Sequence, residues 1–330
     1  MSQPPSPLPA SLVRARAFTV PAALEAGVSR SRLRSRDLEA PHRGVRQRRE
    51  PEASIVSALA VEEPGHRDRL VRAEVLRRVA GFEPLRSAGA FYTGRTAVAI
   101  YDRLFDHDPG LAQLEVAVLA PGRAPRVAGV RGIQLSSTLA TVRDVGGLPV
   151  ASPATVWAGF AGRLDVRGLV RLGDALVRVP RMTGGHPRPD LQLATIAQLR
   201  SAAQAPHRRG RRVLDEALGL IRVGSMSPLE TDVRCDIVAA GLPEPVLDVE
   251  IRNGAGRLVG IADAAFPDHR VLVEVEGQQH RVSQAQWERD IEKHHAYAAL
   301  GWELVRITGT AQRAGRVART IGDGRPRRMC

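Results

Sequence analysis

The sequence predicts a mixed α/β protein that folds as several domains. The chain has 330 residues, which is enough for two or three domains with separate cores. Apolar residues recur with the helical period in some segments, whereas at 114–119 they alternate with other residues as in a half-buried strand. Near the C-terminus, capping and turn signals delimit a helix, three strands, a second helix and a last strand. These observations predict helices and sheets that alternate along the chain.

The charge of the chain is unusual. It has 48 lysine and arginine residues against 35 aspartate and glutamate residues, a formal net charge of +13, and Lys293 is its only lysine. GC-rich codons account for arginine in place of lysine, but they do not account for the excess of basic over acidic residues. Such a chain attracts polyanions, and nucleic acid is the first partner to consider.

The composition also excludes several classes of protein. The two cysteines, Cys235 and Cys330, lack the spacing of a zinc site and cannot staple a chain of this length, so a reducing, cytoplasmic location is predicted. No apolar run approaches the roughly 20 residues of a membrane helix, and the N-terminus has no apolar signal segment. With 4% aromatic residues, extensive base stacking along single strands is not expected.

Residues 1–7 are predicted to form a disordered tail, and residues 8–50 a helix-turn-helix or winged-helix-like module. Two helices are predicted at 18–26 and 30–38, joined by a turn with a glycine and a serine cap. Some arginines of the second helix would enter a DNA groove, while others would contact phosphate. The candidates are Arg30, Arg32 and Arg34, with a basic wing at 43–49. The alternative is a solvated, arginine-rich helical hairpin.

Residues 51–181 are predicted to form a mixed α/β middle domain. The pattern predicts helices at 68–79, 94–105, 153–164 and 166–177 and a strand at 114–119. The acidic residues of this block are scattered, so a structural or partner-binding role is favoured over catalysis. Residues 182–224 are predicted to be a linker with connecting helices at 191–203 and 213–221.

The most informative part of the chain is 225–310. Ser227 and Glu230 form a capping box that starts a helix ending near residue 240. Strands are then predicted at 246–251, 257–266 and 270–276, a helix from 283 to 300 and a last strand at 302–308. The last helix crosses over between two strands in the βαβ manner. Residues 311–330 are predicted to be a basic, disordered tail.

Three acidic residues converge on this predicted sheet. Glu274 and Glu276 are two residues apart on one strand and share a face, and the hairpin brings Asp263 opposite Glu274 or its neighbour. Cross-strand Cβ atoms are only about 5 Å apart, so these carboxylates would repel unless a cation lay among them. A hard divalent ion such as Mg²⁺ or Mn²⁺ would fit, and it can activate water. The alternative is an exposed hairpin face that simply carries acidic residues.

These residues resemble the PD-(D/E)XK nuclease superfamily, above all its very-short-patch-repair (Vsr-like) endonuclease group. The resemblance covers about 225–308 and implies a restriction-endonuclease-like α-β-β-β-α-β core. The motifs that carry it are Asp263, Glu274-Val275-Glu276-Gly277-Gln278-Gln279-His280, Trp287-Glu288-Arg289-Asp290 and Leu300-Gly301-Trp302-Glu303-Leu304-Val305-Arg306. More weakly, the N-terminal and middle parts resemble the architecture of AbiEi-type antitoxins.

The resemblance implies roles for individual residues. Asp263 and Glu274 would bind the metal ion. Glu276 stands where the superfamily has a lysine, so either it acts as ligand or base, or the site is weakened. His280 would be a general base or a phosphate contact, and its alternative is a polar residue in a loop.

Further residues have two interpretations each. Glu230 matches a helix glutamate that holds a metal through water, and the capping box explains it equally well. Arg289 or Lys293 would approach the scissile phosphate, although Lys293 is also spaced to pair with Asp290 on the helix. Arg306 would contact a phosphate or a carboxylate.

The sequence therefore predicts a metal-dependent DNA endonuclease with an N-terminal DNA-binding module. The alternative is an antitoxin-type DNA-binding transcriptional regulator whose nuclease-like domain is inactive, and a third interpretation is a partner-binding scaffold. DNA is the predicted partner, Mg²⁺ or Mn²⁺ the predicted cofactor and no membrane association is expected. A homodimer and a partner toxin are both compatible with the sequence.

Overall fold

A computed structural model describes residues 5–49, 66–103, 112–182, 184–276, 284–313 and 315–323, with the backbone alone at 66–67, 284–290, 313 and 322–323. Helices and strands alternate through these ranges, which confirms the predicted mixed α/β class. The chain divides into two compact units, residues 1–103 with 107–156, and residues 104–106 with 157–330. The predicted boundaries after residues 50, 181 and 224 fall inside these units. Among the helices that the structure describes, none is both long and apolar enough to cross a membrane.

The first unit begins with two short helices and a small antiparallel sheet. Its elements are helix α1 (Ala10–Arg14), strand β1 (Ala17–Thr19), helix α2 (Val20–Glu25) and strands β2 (Leu38–Glu39) and β3 (Val45–Arg48), in the sheet order β1-β3-β2. The predicted helix at 30–38 is wrong, because this segment has only one turn of 3₁₀ helix, Arg32–Arg34. Leu33 and Leu38 both pack in the same core, and residues five apart do not share a helical face. Helix α2 lies within the predicted helix at 18–26, and the predicted basic wing at 43–49 contains strand β3, so the helix-turn-helix or winged-helix-like module stays a prediction.

The rest of the first unit is built on a five-stranded sheet. Its helices are α3 (His66–Phe82) and α4 (Gly94–Ile100), and its strands are β4 (Phe91–Tyr92), β5 (Leu114–Leu119), β6 (Val130–Leu135), β7 (Val142–Val145) and β8 (Leu148–Ala151). The sheet order is β6-β5-β4-β8-β7. Strand β5 has its predicted bounds, and the helix predicted from 68 is present, whereas α4 ends five residues before the predicted 105. The other four strands were not predicted.

Helix α5 (Pro153–Gly159) contains the division between the units, and three helices follow it in the second unit. These are α6 (Val166–Val177), with its predicted bounds, α7 (Ile196–Ala203) and α8 (Arg211–Leu220). Asp165 caps α6 by accepting a hydrogen bond from the Gly168 N–H at 2.7 Å. Gly173 lets α6 approach Ile221, because a Cβ at this position would lie 2.2 Å from the Ile221 side chain.

The C-terminal part of the second unit has the predicted α-β-β-β-α-β order. Its elements are α9 (Pro228–Ala239), β9 (Val246–Arg252), β10 (Leu258–Phe266), β11 (Val271–Glu276), α10 (Gln284–Ala299) and β12 (Glu303–Thr308). Strand β10 is antiparallel to β9 and β11, and β11 is parallel to β12. One face of the sheet packs on Val233 and Ile237 of α9, and the other on Tyr297 of α10.

Two short helices follow the last strand, so the prediction of a disordered tail at 311–330 is wrong where the structure describes it. They are α11 (Gly309–Arg313) and α12 (Val317–Asp323). Val317 and Ile321 are buried against Val233 and Ile237. These two residues are four apart and therefore lie on one face of a helix, which is a periodic signal within a basic segment. Residues 324–330 lie outside the described ranges.

Candidate active site

Asp263 and Glu274 meet where β10 and β11 run side by side. The ladder pairs Ala264 with Val273, so the next position in the same register sets Asp263 opposite Glu274, as the hairpin predicted. Asp263 Oδ2 also accepts a hydrogen bond from the Val275 N–H at 2.7 Å. Neighbouring strands thus hold these two carboxylates together, and Asp263 is anchored to the backbone of β11.

On the other side of β10, strand β9 has an irregular backbone at the position opposite Asp263. Strand β9 pairs Val249 with Ala262 and Leu247 with Ala264, and the intervening Asp248 has a φ of 54°. Arg181 fixes this backbone conformation by donating to both Asp248 carboxylate oxygens, at 2.8 and 2.9 Å, and to the Asp248 carbonyl at 3.1 Å. Its guanidinium also bonds Glu250 Oε1 at 2.8 Å. A half-buried arginine therefore braces the strand next to Asp263.

Glu230 approaches Asp263 from the first turn of α9. Ser227 Oγ accepts from the Glu230 N–H at 3.2 Å, and Glu230 Oε2 accepts from the Met226 N–H at 2.7 Å. Burial, together with the negative charge of Asp263, raises the pKa of Glu230 to about 7. Glu230 therefore acts as a helix cap and also lies within electrostatic reach of Asp263, while its role as a metal ligand stays a prediction.

Asp263 has a raised pKa for similar reasons. Burial is the largest cause, and the charge of Glu274 adds to it, while the Val275 N–H and the Lys293 ammonium oppose the rise. We call Glu230, Asp263, Glu274 and Lys293 together the acidic site. Besides burial, the charge of Asp263 raises the pKa of Glu230, and the charge of Glu274 raises the pKa of Asp263, as like charges do in a partly dehydrated environment.

Lys293 is the cation that contacts this group. Its Nζ lies 2.5 Å from Glu274 Oε1, and both side chains are mostly shielded, with 28% and 17% exposure. Burial lowers the pKa of Lys293, but the bond to Glu274 and the Glu274 charge outweigh it, so the net pKa is raised and the side chain stays an ammonium. The chain's single lysine thus reaches from helix α10 to the second acid of the site.

A glycine on β10 makes room for Lys293 and Tyr297. A Cβ on Gly260 would lie 2.3 Å from the Tyr297 hydroxyl oxygen and 2.8 Å from Lys293 Cε. The Lys293 ammonium is 5.4 Å from the centre of the Tyr297 ring, and Tyr297 is fully buried one helical turn after Lys293. Gly260 and Tyr297 together hold the lysine stem against the sheet.

Glu276 has a different environment from Glu274. It forms an ion pair with Arg306 of β12 at 3.0 Å, with both side chains about 40% exposed. Arg306 also contacts the His294 ring. Arg306 therefore binds a carboxylate, and Glu276 lies at the solvent-exposed end of the strand.

The remaining predicted residues are separate from the acidic site or lie outside the described ranges. His280 belongs to 277–283, and Arg289 is described only in its backbone. Arg30 and Arg34 are exposed in the first unit. The prediction that Arg32 binds nucleic acid is wrong, because its side chain is only 8% exposed and forms a bidentate ion pair with Asp37 at 2.8 and 2.7 Å.

Four residues near the acidic site were not predicted: Arg181, Asp248, Gly260 and Tyr297. The spacing of Lys293 and Tyr297 by one helical turn is a sequence signal that links Tyr297 to the lysine. Arg181 and Asp248 come from segments far from the motifs, and only the folded sheet brings them close. Gly260 is three residues from Asp263 on β10, but no local signal indicated that helix α10 packs against it. Within the ranges that the structure describes, no group of three or more His, Cys, Asp or Glu side chains is arranged to hold a metal ion.

Comparisons with known proteins add little to this description. No protein-family model matches the chain, and no curated protein matches it. A solved structure described as "Crystal structure of RV2827C protein from Mycobacterium tuberculosis" aligns with a TM-score of 0.36 and 16% sequence identity, over 75% of this chain and 90% of that chain. Similarity at this level supports no conclusion about fold or function.

Proposed function

We propose that this protein is a metal-dependent DNA endonuclease whose acidic site hydrolyses a phosphodiester bond. The observation that carries the proposal is the contact between Lys293 and Glu274, beside Asp263. The resemblance to PD-(D/E)XK nucleases implies two acids and a lysine, and Glu276 stands at the strand position of that lysine. Lys293 supplies an ammonium beside the same acids from a helix, which supports an active site despite the changed motif.

The donor atoms of the acidic site fit a hard divalent ion. Asp263 and Glu274 offer carboxylate oxygens, the ligands that Mg²⁺ and Mn²⁺ prefer. Their mutual repulsion, seen in the raised pKa of Asp263, is the kind that a cation relieves. We propose that these two residues hold the ion directly and that Glu230 acts through water. When bound, the ion lowers the pKa of a water molecule and stabilises negative charge on the phosphodiester.

The protein's own side chains then have separate roles. The Lys293 ammonium can donate hydrogen bonds to a phosphate oxygen that gains negative charge, an interaction that is stronger in a partly buried site than in water. Glu230, with a pKa of about 7, can accept a proton at neutral pH. Tyr297 and Gly260 position Lys293 and take no part in proton transfer.

The contact between Lys293 and Glu274 also supports a second function. The ammonium of Lys293 neutralises Glu274 at 2.5 Å, and such a pair can also close a site that no longer binds metal. The chain would then be a DNA-binding regulator of antitoxin type with an inactive nuclease-like domain. The two functions differ in whether divalent ions support cleavage.

A plasmid-nicking experiment tests the proposed function. Supercoiled plasmid is incubated with the purified protein in Mg²⁺, in Mn²⁺ and in chelator, beside Asp263→Asn. The control is Asp268→Asn, an exposed aspartate in the loop of the same hairpin. We expect nicking that requires the ion, is lost in Asp263→Asn by at least about 10²-fold and is kept in the control.

The other outcomes of this experiment are equally informative. DNA binding without nicking in either ion would support the regulator instead. Equal nicking by Asp263→Asn and the control would overturn the assignment of the acidic site. Duplexes with a mismatch, run beside the plasmid, test whether the substrate is intact or damaged DNA.

A further inference from the structure

The first unit contains a groove that includes Arg43 and Arg46 of the predicted basic wing at 43–49. One wall is the turn 40–46 between β2 and β3, and the other is the segment 126–129 that leads into β6. Two adjoining cavities of about 710 and 320 Å³, both open to solvent, share Ala40, Pro41, His42 and Ala128. His42 hydrogen-bonds to the Ala128 backbone and packs edge-on against Phe82 at 5.9 Å, so it joins the two walls. We call this feature the basic groove.

The larger cavity is lined by cations and by small or apolar residues. Arg43 and Arg126 are exposed on opposite walls, and Arg46 lies between them. Two N–H groups of Arg46 are held by the carbonyls of Leu33 and Val45, both at 2.9 Å, which fixes its guanidinium in place. None of the described residues that line this cavity is acidic. The groove therefore presents a concentration of positive charge.

The smaller cavity adds no net charge, because two glutamates and two arginines line it. Glu39 of β2 and Glu74 of α3 both pair with Arg77 of α3. Arg78 donates to the carbonyls of Ala112 and Gly129. The positive charge of the groove is therefore concentrated in the larger cavity.

We infer that the basic groove binds the sugar–phosphate backbone of duplex DNA. Guanidinium groups on two walls match a row of phosphates, which are the commonest protein contacts on DNA. An open channel admits a polymer that passes through it, whereas a closed pocket would suit a free anion. The inferred site combines Arg43 and Arg46 of the predicted basic wing with Arg126, and it does not require the acidic site to be active.

Equilibrium binding of a short duplex of mixed sequence tests the inference. Fluorescence anisotropy is measured in chelator over a series of NaCl concentrations, with wild type and with the pair Arg43→Gln and Arg126→Gln. Each lost phosphate contact lowers the slope of log affinity against log salt by about 0.9, so we expect a decrease of about 1.8. The same loss corresponds to roughly 10- to 100-fold weaker binding at 0.1 M salt.

A matched pair of arginines gives the control. Arg30→Gln with Arg34→Gln removes the same charge from exposed positions of the same unit, where the sequence predicted DNA contacts. We expect this pair to change the slope by less than the groove pair. An unchanged slope and affinity in the groove pair would overturn the inference, as would a larger loss in the control pair.

Two further measurements distinguish a failure of this inference from a failure of the proposed function. Asp263→Asn is expected to bind duplex like wild type, because Asp263 belongs to the second unit and does not line the groove; loss of cleavage with retained binding then concerns only the proposed function. Inorganic tripolyphosphate is added as a competitor. If tripolyphosphate at equal phosphate concentration displaced the duplex from wild type, the groove would be a site for free polyphosphate, and the assignment to DNA would be overturned.

Discussion

Two regions of the second unit pair acidic with basic residues, and they do so differently. In the first, helices α6 and α9 contact each other through Asp174–Arg234, Asp232–Arg171 and Asp236–Arg167, which we call the helix layer. In the second, the acidic site, Lys293 lies against Glu274, and Glu230 and Asp263 stand close by. Both regions are partly or fully buried, so their difference lies in how the charges are satisfied.

The carboxylate at the centre of each region shows this difference. Asp174 is 1% exposed and accepts three hydrogen bonds, from the Arg222 N–H, the Thr231 hydroxyl and the Arg234 guanidinium, all within 2.9 Å. Asp263 accepts one within the described ranges, from Val275. A satisfied buried ion pair is a structural feature, whereas an acid with unused lone pairs among other acids can still bind a ligand. The helix layer therefore satisfies its charges internally, whereas Asp263 keeps lone pairs that no hydrogen bond within the described ranges uses.

The largest expected effect is on the helix layer. Arg234→Met would leave Asp174 buried without its cation, which costs about 3–5 kcal/mol in the free energy of unfolding. Urea unfolding of the second unit measures this loss. The control is Arg211→Met, which removes an exposed partner of Asp215 and should cost less than about 1 kcal/mol. Similar losses for the two variants would contradict the structural role of the buried pair.

The next effect concerns the chemistry of the acidic site. Lys293→Met removes the ammonium next to Glu274, and we expect the single-turnover cleavage rate to fall by about 10²- to 10³-fold. Lys293→Arg should restore only part of the rate, because Gly260 and Tyr297 enclose a narrow lysine stem. An unchanged rate in Lys293→Met would show that the lysine only neutralises Glu274 and does not contribute to cleavage.

A smaller effect follows from the raised pKa of Glu230. A carboxyl whose pKa is about 7 when folded and near 4.5 when unfolded stabilises the protein fully below pH 4.5 and loses that stabilisation as the pH rises to about 7. Wild type should therefore lose on the order of 1–3 kcal/mol between pH 5 and pH 8 from this group. Glu230→Gln keeps the acceptor for the Met226 N–H, and its unfolding free energy should change less over the same range. Parallel pH profiles for the two proteins would exclude this linkage.

The smallest effect is expected at the exposed end of the same strand. Glu276→Gln breaks an ion pair with Arg306 that solvent already screens, so the free energy of unfolding should change by less than about 1 kcal/mol. Cleavage should stay within a few-fold of wild type, whereas Glu274→Gln should abolish it. If both variants lost cleavage equally, Glu276 would be a metal ligand or a base, which is one of the roles that the family resemblance implies.

The alternation of residues along the chain determined much of the second unit. Strand bounds, helix caps and the order of elements in the C-terminal core follow from periods of 2 and 3.6 residues and from turn signals, which are local properties. The juxtaposition of Asp263 and Glu274 was predictable for the same reason, because a short hairpin fixes the register of its two strands. The predictions were wrong at 30–38 and 311–323, where local signals were ambiguous. These segments are basic, but they contain apolar residues that pack in the hydrophobic cores.

Tertiary structure alone decided how the charges are used. The sequence could pair Lys293 only with neighbours on its helix, and it is the packing of α10 across the sheet that brings its ammonium to Glu274. In the same way, Arg32 turns inward to Asp37, and Arg43 and Arg126 meet across a groove although they are far apart in the chain. Electrostatic partners depend on distance and burial in three dimensions, and neither quantity is encoded in the local pattern of a chain with 47 arginines among its 48 basic residues.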